Sequence, residues 1–260
     1  MILEIIIKGK IPELLNKNIK YDILMEKFYE YYKLSFKIKS KKEVDNILKR
    51  IDIFKNIEIL NTSIEADDRK IELPNGINIS LVGYKNQVYP NKKEIFLKKG
   101  LAFGGFHPTT IMCMELLIEL LMQNIHINNA FDLGTGNGIL AILANKLGIR
   151  DICAVDIDFQ SCLECKDNIY TNKTQDNIKL ICGTNECIKG LFDLIITNII
   201  FHTLKLITKD ITKKLNQNGF IIMSGFLAHD TNSFLNMLGH GKLIMKKEKE
   251  GWGSILWQKK

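Results

Sequence analysis

The 260-residue chain lacks any apolar run approaching the ~18 residues that a membrane-spanning helix requires, so no transmembrane segment is expected. It lacks the pattern of a secretory leader as well: Met1-Ile2-Leu3-Glu4 leads straight into a short alternating segment. A cytoplasmic location with free thiols is therefore the expectation for Cys113, Cys153, Cys162, Cys165, Cys182 and Cys187. Cys162-x-x-Cys165 has no second pair at metal-ligand spacing, and it falls within a helical pattern. Two small apolar residues on one face account for it better than a metal or redox site, and no metal is expected. Internal repeats and low-complexity tails are missing too. So is a compact arginine cluster, although residues 1–100 carry 20 Lys+Arg against 14 Asp+Glu and most of the chain's net +7. That basic excess reads either as a surface for ribosomal RNA or as compositional bias, since Lys outnumbers Arg 18 to 2 there.

What is present suits one domain of usual size with a small one appended. A composition of 46% hydrophobic and 25% charged residues is that of an ordinary globular protein. Residues 2–8 alternate like a strand, and Pro12 opens a segment at 13–34 whose mixed three- and four-residue apolar spacing predicts a helix. A strand at 35–39, a helix at 41–54 and strands at 57–60, 70–73 and 77–82 follow, with Pro74-Asn75-Gly76 as the turn before the last. This predicts a small α+β domain over 1–85. The turn-rich, charged stretch 86–100 reads as a linker, with a short strand at 95–97. From 101 to 260 the pattern is regular: helix 109–122, strand 129–133, helix 138–147, strand 151–156, helix 160–171, strands 178–182 and 192–197, helix 203–216, strand 219–224, helix 229–239. Two strands around Lys249-Glu250-Gly251 close the chain. Alternating strands and helices predict an α/β fold, a Rossmann-like and mostly parallel seven-stranded sheet covered on both faces.

The chemistry is read from three strand ends. Ala130-Phe131-Asp132 runs into Gly134-Thr135-Gly136-Asn137-Gly138, and a helix starts at Ile139. Glycines admit positive φ and close approach of a ligand, and the helix start offers unpaired N–H groups. The spacing is G-x-G-x-G, not the G-x-G-x-x-G of dinucleotide sites, and no Walker Gly-Lys-Ser/Thr follows. Alone, such a loop is equally a tight turn. Asp156, 18 residues beyond Gly138, ends the next apolar strand and stands where an acid accepts hydrogen bonds from both ribose hydroxyls. Asp158 is the expected cap of the following helix. Loop and acid together fit a nucleoside without pyrophosphate, with S-adenosyl-L-methionine as prime candidate. Asn198, at the end of Phe192–Thr197, reads either as the acceptor that orients a nucleophilic amine or as a strand-terminating cap.

These residues resemble a known family. GLAFGGFHPTT (Gly100–Thr110), DLGTGNGILAI, VDIDF and TNII are similar to the GLAFGTGTHPTT, D-x-G-x-G-S-G-I-L-A-I, VDIDP and ANIL of PrmA, the ribosomal protein L-eleven methyltransferase family. Asp167-Asn168, Met223–Leu227 and Glu250-Gly251-Trp252 add to the resemblance, which covers about 95–260. It implies a class I methyltransferase fold. It also implies contacts to S-adenosylmethionine from Thr110, Gly134, Asp156 and Asn198, with Thr109 and Gly136 as second contributors. The implied substrate is a ribosomal protein, methylated on lysine side chains and the N-terminal amine, with the N-terminal domain recognising it. The first motif is one residue shorter here, with Gly105-Phe106 in its middle, and the first 90 residues match poorly.

The reaction expected is in-line transfer of a methyl group to a neutral amine, with the protein supplying proximity and orientation. His107, His202 or bulk water would take the proton. Phe28-Tyr29 and Tyr31-Tyr32 read as base-stacking groups or, more simply, as core. The alternatives are a methyltransferase of the same fold acting on another protein or small-molecule amine, and a non-catalytic relative that binds cofactor or RNA. The absence of N-P-P-Y-like residues after Asn198 argues against a base-directed enzyme. A monomer is expected.

Overall fold

The structure, a computed structural model, describes residues 2–9, 23–28, 31–37, 42–52, 57–65, 70–82, 94–98 and 107–260. The chain divides into two units, Met1–Arg69 and Lys70–Lys260. Among its described residues the first holds an antiparallel four-stranded sheet in the order β2-β3-β1-β4, from β1 (Ile2–Gly9), β2 (Ile23–Phe28), β3 (Tyr31–Lys37) and β4 (Ile57–Glu65), and the helix α1 (Lys42–Asp52). The expected helix at 13–34 is corrected in its second half. Residues 23–28 and 31–37 form a hairpin in which Phe28 faces Tyr31. Leu34 and Phe36 are buried two residues apart, the period of a strand, and Ile5 opposite Leu34 is buried with them. Residues 13–22, and Tyr29 of the aromatic stretch, lie outside the described residues.

The second unit opens with a small sheet of β5 (Lys70–Glu72), β6 (Asn78–Val82) and β7 (Glu94–Lys98). The Pro74-Asn75-Gly76 turn lies between the first two, and Gly76 takes φ +76° there. The seven-stranded sheet follows: β8 (Asn129–Leu133), β9 (Asp151–Asp156), β10 (Ile178–Cys182), β11 (Phe192–Asn198), β12 (Leu215–Leu227), β13 (Gly241–Lys249) and β14 (Trp252–Lys259). Its order is β10-β9-β8-β11-β12-β14-β13. The pairs from β10 to β12 are parallel, and β14 runs antiparallel to both its neighbours. Strand order reverses between β8 and β11, so the crevice for a ligand lies at their carboxyl ends.

Helices cover both faces. On one side, α2 (Pro108–Leu121), α3 (Ile139–Lys146) and α4 (Phe159–Thr171) pack with the small sheet around Leu117, Ile142, Ile152 and Ile196. On the other, α5 (Phe201–Lys213) and α6 (Thr231–Leu238) bury Leu204, Ile211 and Phe234 against Phe131, Ile195 and Ile221. A sheet buried on both faces explains why β8, β9 and β11 read as nearly continuous apolar runs. Among the described residues, no helix is long and apolar enough to cross a membrane.

Two asparagines tie α4 to its neighbours. Asn172 Oδ1 accepts from Phe96 N at 2.9 Å and its Nδ2 donates to Phe96 O at 2.7 Å, pairing with β7 as a further strand would. Asn168, fully buried, accepts from Lys98 N at 2.8 Å and donates to Asn137 O at 2.9 Å, linking β7 to the glycine loop.

Candidate functional site

The glycine loop is shaped by three residues with positive φ, Gly134 at +74°, Gly136 at +55° and Gly138 at +85°. Gly134 N and Thr135 N donate to Val155 O at 2.8 and 3.0 Å, which holds the loop over the start of the next crossover. Gly136 N donates to Asp156 Oδ2 at 2.8 Å and Asp158 N to Asp156 Oδ1 at 3.0 Å. Asp156 thus braces loop and strand end together. Each of its oxygens keeps a lone pair for a further donor. Asp158 caps α4, accepting from Ser161 N at 2.7 Å.

Beneath the loop lies Asp132, fully buried. Its Oδ2 accepts from Thr135 Oγ1 at 2.6 Å and from Ala141 N at 3.2 Å, while Oδ1 has no hydrogen-bond partner among the described residues. Burial pushes its carboxyl up to about 7; the bonds from Thr135 and Ala141 oppose the shift and the charge of Asp156 adds to it.

Asn198 ends β11, and its Nδ2 donates to Thr110 Oγ1 at 3.0 Å. The residue after it, Ile199, is wedged between two glycines. A Cβ on Gly134 would collide with the Ile199 side chain, and one on Gly225 (φ +99°) with the Ile199 carbonyl oxygen. The chain therefore leaves β11 along a path that only glycine permits at 134 and 225.

His107 is the N-cap of α2, with Pro108 in the first helical turn, where its missing N–H costs nothing. Its Nδ1 lies 2.8 Å from Thr109 Oγ1 and accepts from Thr109 N at 3.4 Å. The ring stands edge-on to Trp252, 5.2 Å between centroids. Burial lowers its pKa and the charge of Glu250 works the other way, so the ring is biased toward the neutral form.

His107, Thr109, Thr110, Gly134, Gly136, Asp156 and Asn198 all line one cavity of about 880 Å³ at the carboxyl ends of the parallel strands. That size is within the range of small-molecule and cofactor sites. Three features of the wall are not among the site residues that the sequence points to. Thr184 and Asn185 come from the turn after β10, Trp252 opens β14, and Asp230 ends the turn after β12. Trp252 had a signal in Glu250-Gly251-Trp252; the others lie in turns with no recognisable motif. His202 is in the first turn of α5 but is not part of the wall, whereas its neighbours Phe201 and Thr203 are. Gly105 and Phe106 lie outside the described residues.

The wall tests what it can hold. Its described ionisable groups are His107, Asp156 and Asp230, with no lysine or arginine. Such a wall suits a ligand bearing a cationic centre and a ribose, and gives a phosphate chain no cationic partner. The wall is compatible with S-adenosylmethionine: the remaining lone pairs of Asp156 can accept from ribose hydroxyls, and the Thr110 hydroxyl lies in the same cavity.

A family model described as ribosomal protein L11 methyltransferase (PrmA) matches residues 75–260. The chain belongs to the PrmA family. A ribosomal protein L11 methyltransferase of Aquifex aeolicus is 36% identical over 172 residues, 65% of this chain and 66% of that protein. One from Desulfitobacterium hafniense is 35% identical over 64% of this chain and 54% of its own length. The chain thus spans roughly half to two thirds of the curated relatives it matches. The crystal structure of a ribosomal protein L11 methylase from Lactobacillus delbrueckii subsp. bulgaricus superposes with a TM-score of 0.61 at 30% identity, covering 70% of this chain and 95% of that one. The PrmA match begins at residue 75, within the second unit. The seven-stranded sheet and its order are those of a class I methyltransferase fold.

Proposed function

We propose that the chain is an S-adenosylmethionine-dependent N-methyltransferase acting on protein amines, lysine side chains or an N-terminal amine, with ribosomal protein L11 as acceptor. The observation that carries this reading is the pairing of Asn198 with Thr110 inside the cavity that also holds Asp156 and the glycine loop. Its relatives named as ribosomal protein L11 methyltransferases support the choice of acceptor. In this reading residues 101–260 form the cofactor-binding part and the N-terminal residues recognise the substrate, in a cytoplasmic protein, while the stretch 86–100, expected as a linker, contributes β7 to the second unit.

When bound, the cofactor supplies a methyl group already activated on a sulfonium, so the protein need only position the partners. Asp156 accepts from the ribose hydroxyls, and Thr109, Thr110, Gly134 and Gly136 hold the rest. Thr110 fixes the Asn198 amide through Nδ2, which leaves Oδ1 as acceptor for an N–H of the incoming amine and aims its lone pair at the methyl carbon. The amine, with an ordinary lysine pKa of ~10.4, sheds its proton on leaving water. His107, biased toward the neutral form, or water receives it.

Titration with S-adenosylmethionine and assay of Asn198→Ala test this. Turnover should fall about a hundredfold, the scale of losing one oriented polar contact in a transition state, with a smaller loss of cofactor affinity. If neither turnover nor binding changes, the site is misplaced.

A further inference from the structure

Beyond the groups that hold the cofactor, the wall contains one carboxylate with no assigned task. Asp230 ends the turn Ala228–Asp230, directly before α6. It stands at that helix's N-cap, yet its side chain makes no capping hydrogen bond. Among the described residues its ion-pair partner is His229 of the same turn, Nε2 to Oδ2 at 3.6 Å, a pair only when the imidazole is protonated, and that imidazole is 75% exposed. A pair of this kind is weak and leaves the carboxylate available to another cation.

Its position follows from strand register. Asn198 pairs with Ser224, and β12 continues through Gly225, Phe226 and Leu227 before the turn. The ladder with β14 is interrupted at Gly225, whose φ is +99°, and the turn that follows lies beyond Asn198 at the carboxyl edge of the sheet. The wall near it is apolar: Ile200, Phe201 and Leu227 line the same cavity, and Ile200 is 72% exposed. A carboxylate beside an apolar collar is complementary to a long alkyl stem ending in an ammonium.

We propose that Asp230 is the acceptor-recognition residue of this site. It receives the ammonium of a lysine side chain at the mouth, while Ile200, Phe201 and Leu227 cover the methylene stem. Asp230 acts on the charged form of the acceptor and Asn198 on the neutral form. The two are separated along the path by the collar, which favours proton loss between them. This inference rests on the amine-methyltransferase reading for its substrate, but its central contact is testable without turnover.

The test measures binding of n-hexylammonium and of neutral 1-hexanol to the full chain by calorimetry, with and without saturating S-adenosylhomocysteine. Asp230→Asn should weaken hexylammonium about threefold to fivefold, the scale of a partly exposed ion pair, and leave hexanol unchanged. Asp230→Glu should restore the amine preference, and added salt should erode it in the wild type. With ribosomal protein L11 as acceptor, the loss in Asp230→Asn should fall on KM more than on kcat. Equal binding of hexylammonium by wild type and Asp230→Asn overturns the proposal, as does parallel weakening of both probes, which would mark a packing role. A wild type that discriminates the amine through Asp230 yet methylates no protein supports the recognition role and sinks the proposed activity instead.

Discussion

The floor of the cavity, from Asp132 to Ile139, is held by backbone donors, the buried Asp132, the half-buried Asp156 and left-handed glycines, whereas its rim leaves Ile200, Leu227 and Ile157 largely or partly open to solvent. The floor is over-determined. Asp156 clamps the loop and the end of β9, Asn168 ties the loop to β7, and Ile199 passes between two left-handed glycines where an added Cβ would collide with it. The rim is less constrained, with Ile157 and Ile200 76% and 72% exposed. A rigid floor suits a ligand of invariant shape, and an apolar rim suits a partner that arrives, packs and leaves.

This contrast can be broken by substitution. Gly225→Ala should have the largest effect, because it adds a Cβ against the Ile199 carbonyl at a left-handed position. Loss of about 3 kcal/mol or more is expected in denaturant unfolding. An unfolding midpoint equal to the wild type's would show that the exit of β11 is not fixed as described.

A smaller, pH-dependent effect should come from Asp132→Asn. The folded-state pKa of Asp132 is raised from 3.8 to about 7. Its contribution is therefore favourable below pH ~4 and is lost as pH rises through about 7. Relative to the wild type, the ligand-free Asn variant should gain stability steadily from pH ~4 to ~7, because its amide can keep both the Thr135 and Ala141 contacts without a buried charge. Parallel stability curves for the two proteins across that range would contradict a buried carboxylate under strain of desolvation.

At the small end, Ile200→Ser should change stability by no more than about 0.5 kcal/mol, as expected for an exposed position, and should leave S-adenosylmethionine affinity in place. Its cost should appear as a higher KM for the protein acceptor. A large stability loss would place Ile200 in the floor's category.

The contrast also explains what could be read in the sequence. Strands β8 and β9 fall where their apolar runs predicted, because central parallel strands are largely apolar and these two run into glycine or end in acid; the edge strand β10 also forms at Ile178–Cys182 as expected. Asp158 caps α4 as its position after the strand end suggested. The glycine loop was legible for the same reason: the floor is local in sequence, and its shape is dictated by residue types with few alternatives. The rim is assembled by topology. Asp230 reaches the cavity from the turn after β12, where nothing in the short segment announces the neighbour it meets, and Trp252 reaches it from the start of β14, marked only by the family resemblance at Glu250-Gly251-Trp252. The hairpin at 23–37 was misread because Leu24, Phe28 and Tyr32 also satisfy a helical spacing, and strand pairing with β1 settled the matter through contacts distant in sequence.

The central claim is methyl transfer to a protein amine at the Asn198 end of this cavity. Its most direct test is mass spectrometry of ribosomal protein L11 after incubation with the purified chain and isotope-labelled S-adenosylmethionine. Labelled methyl groups on lysine or N-terminal nitrogens, formed about a hundredfold more slowly by Asn198→Ala, are the expected result. An L11 that stays unlabelled while the chain binds the cofactor tightly would contradict it.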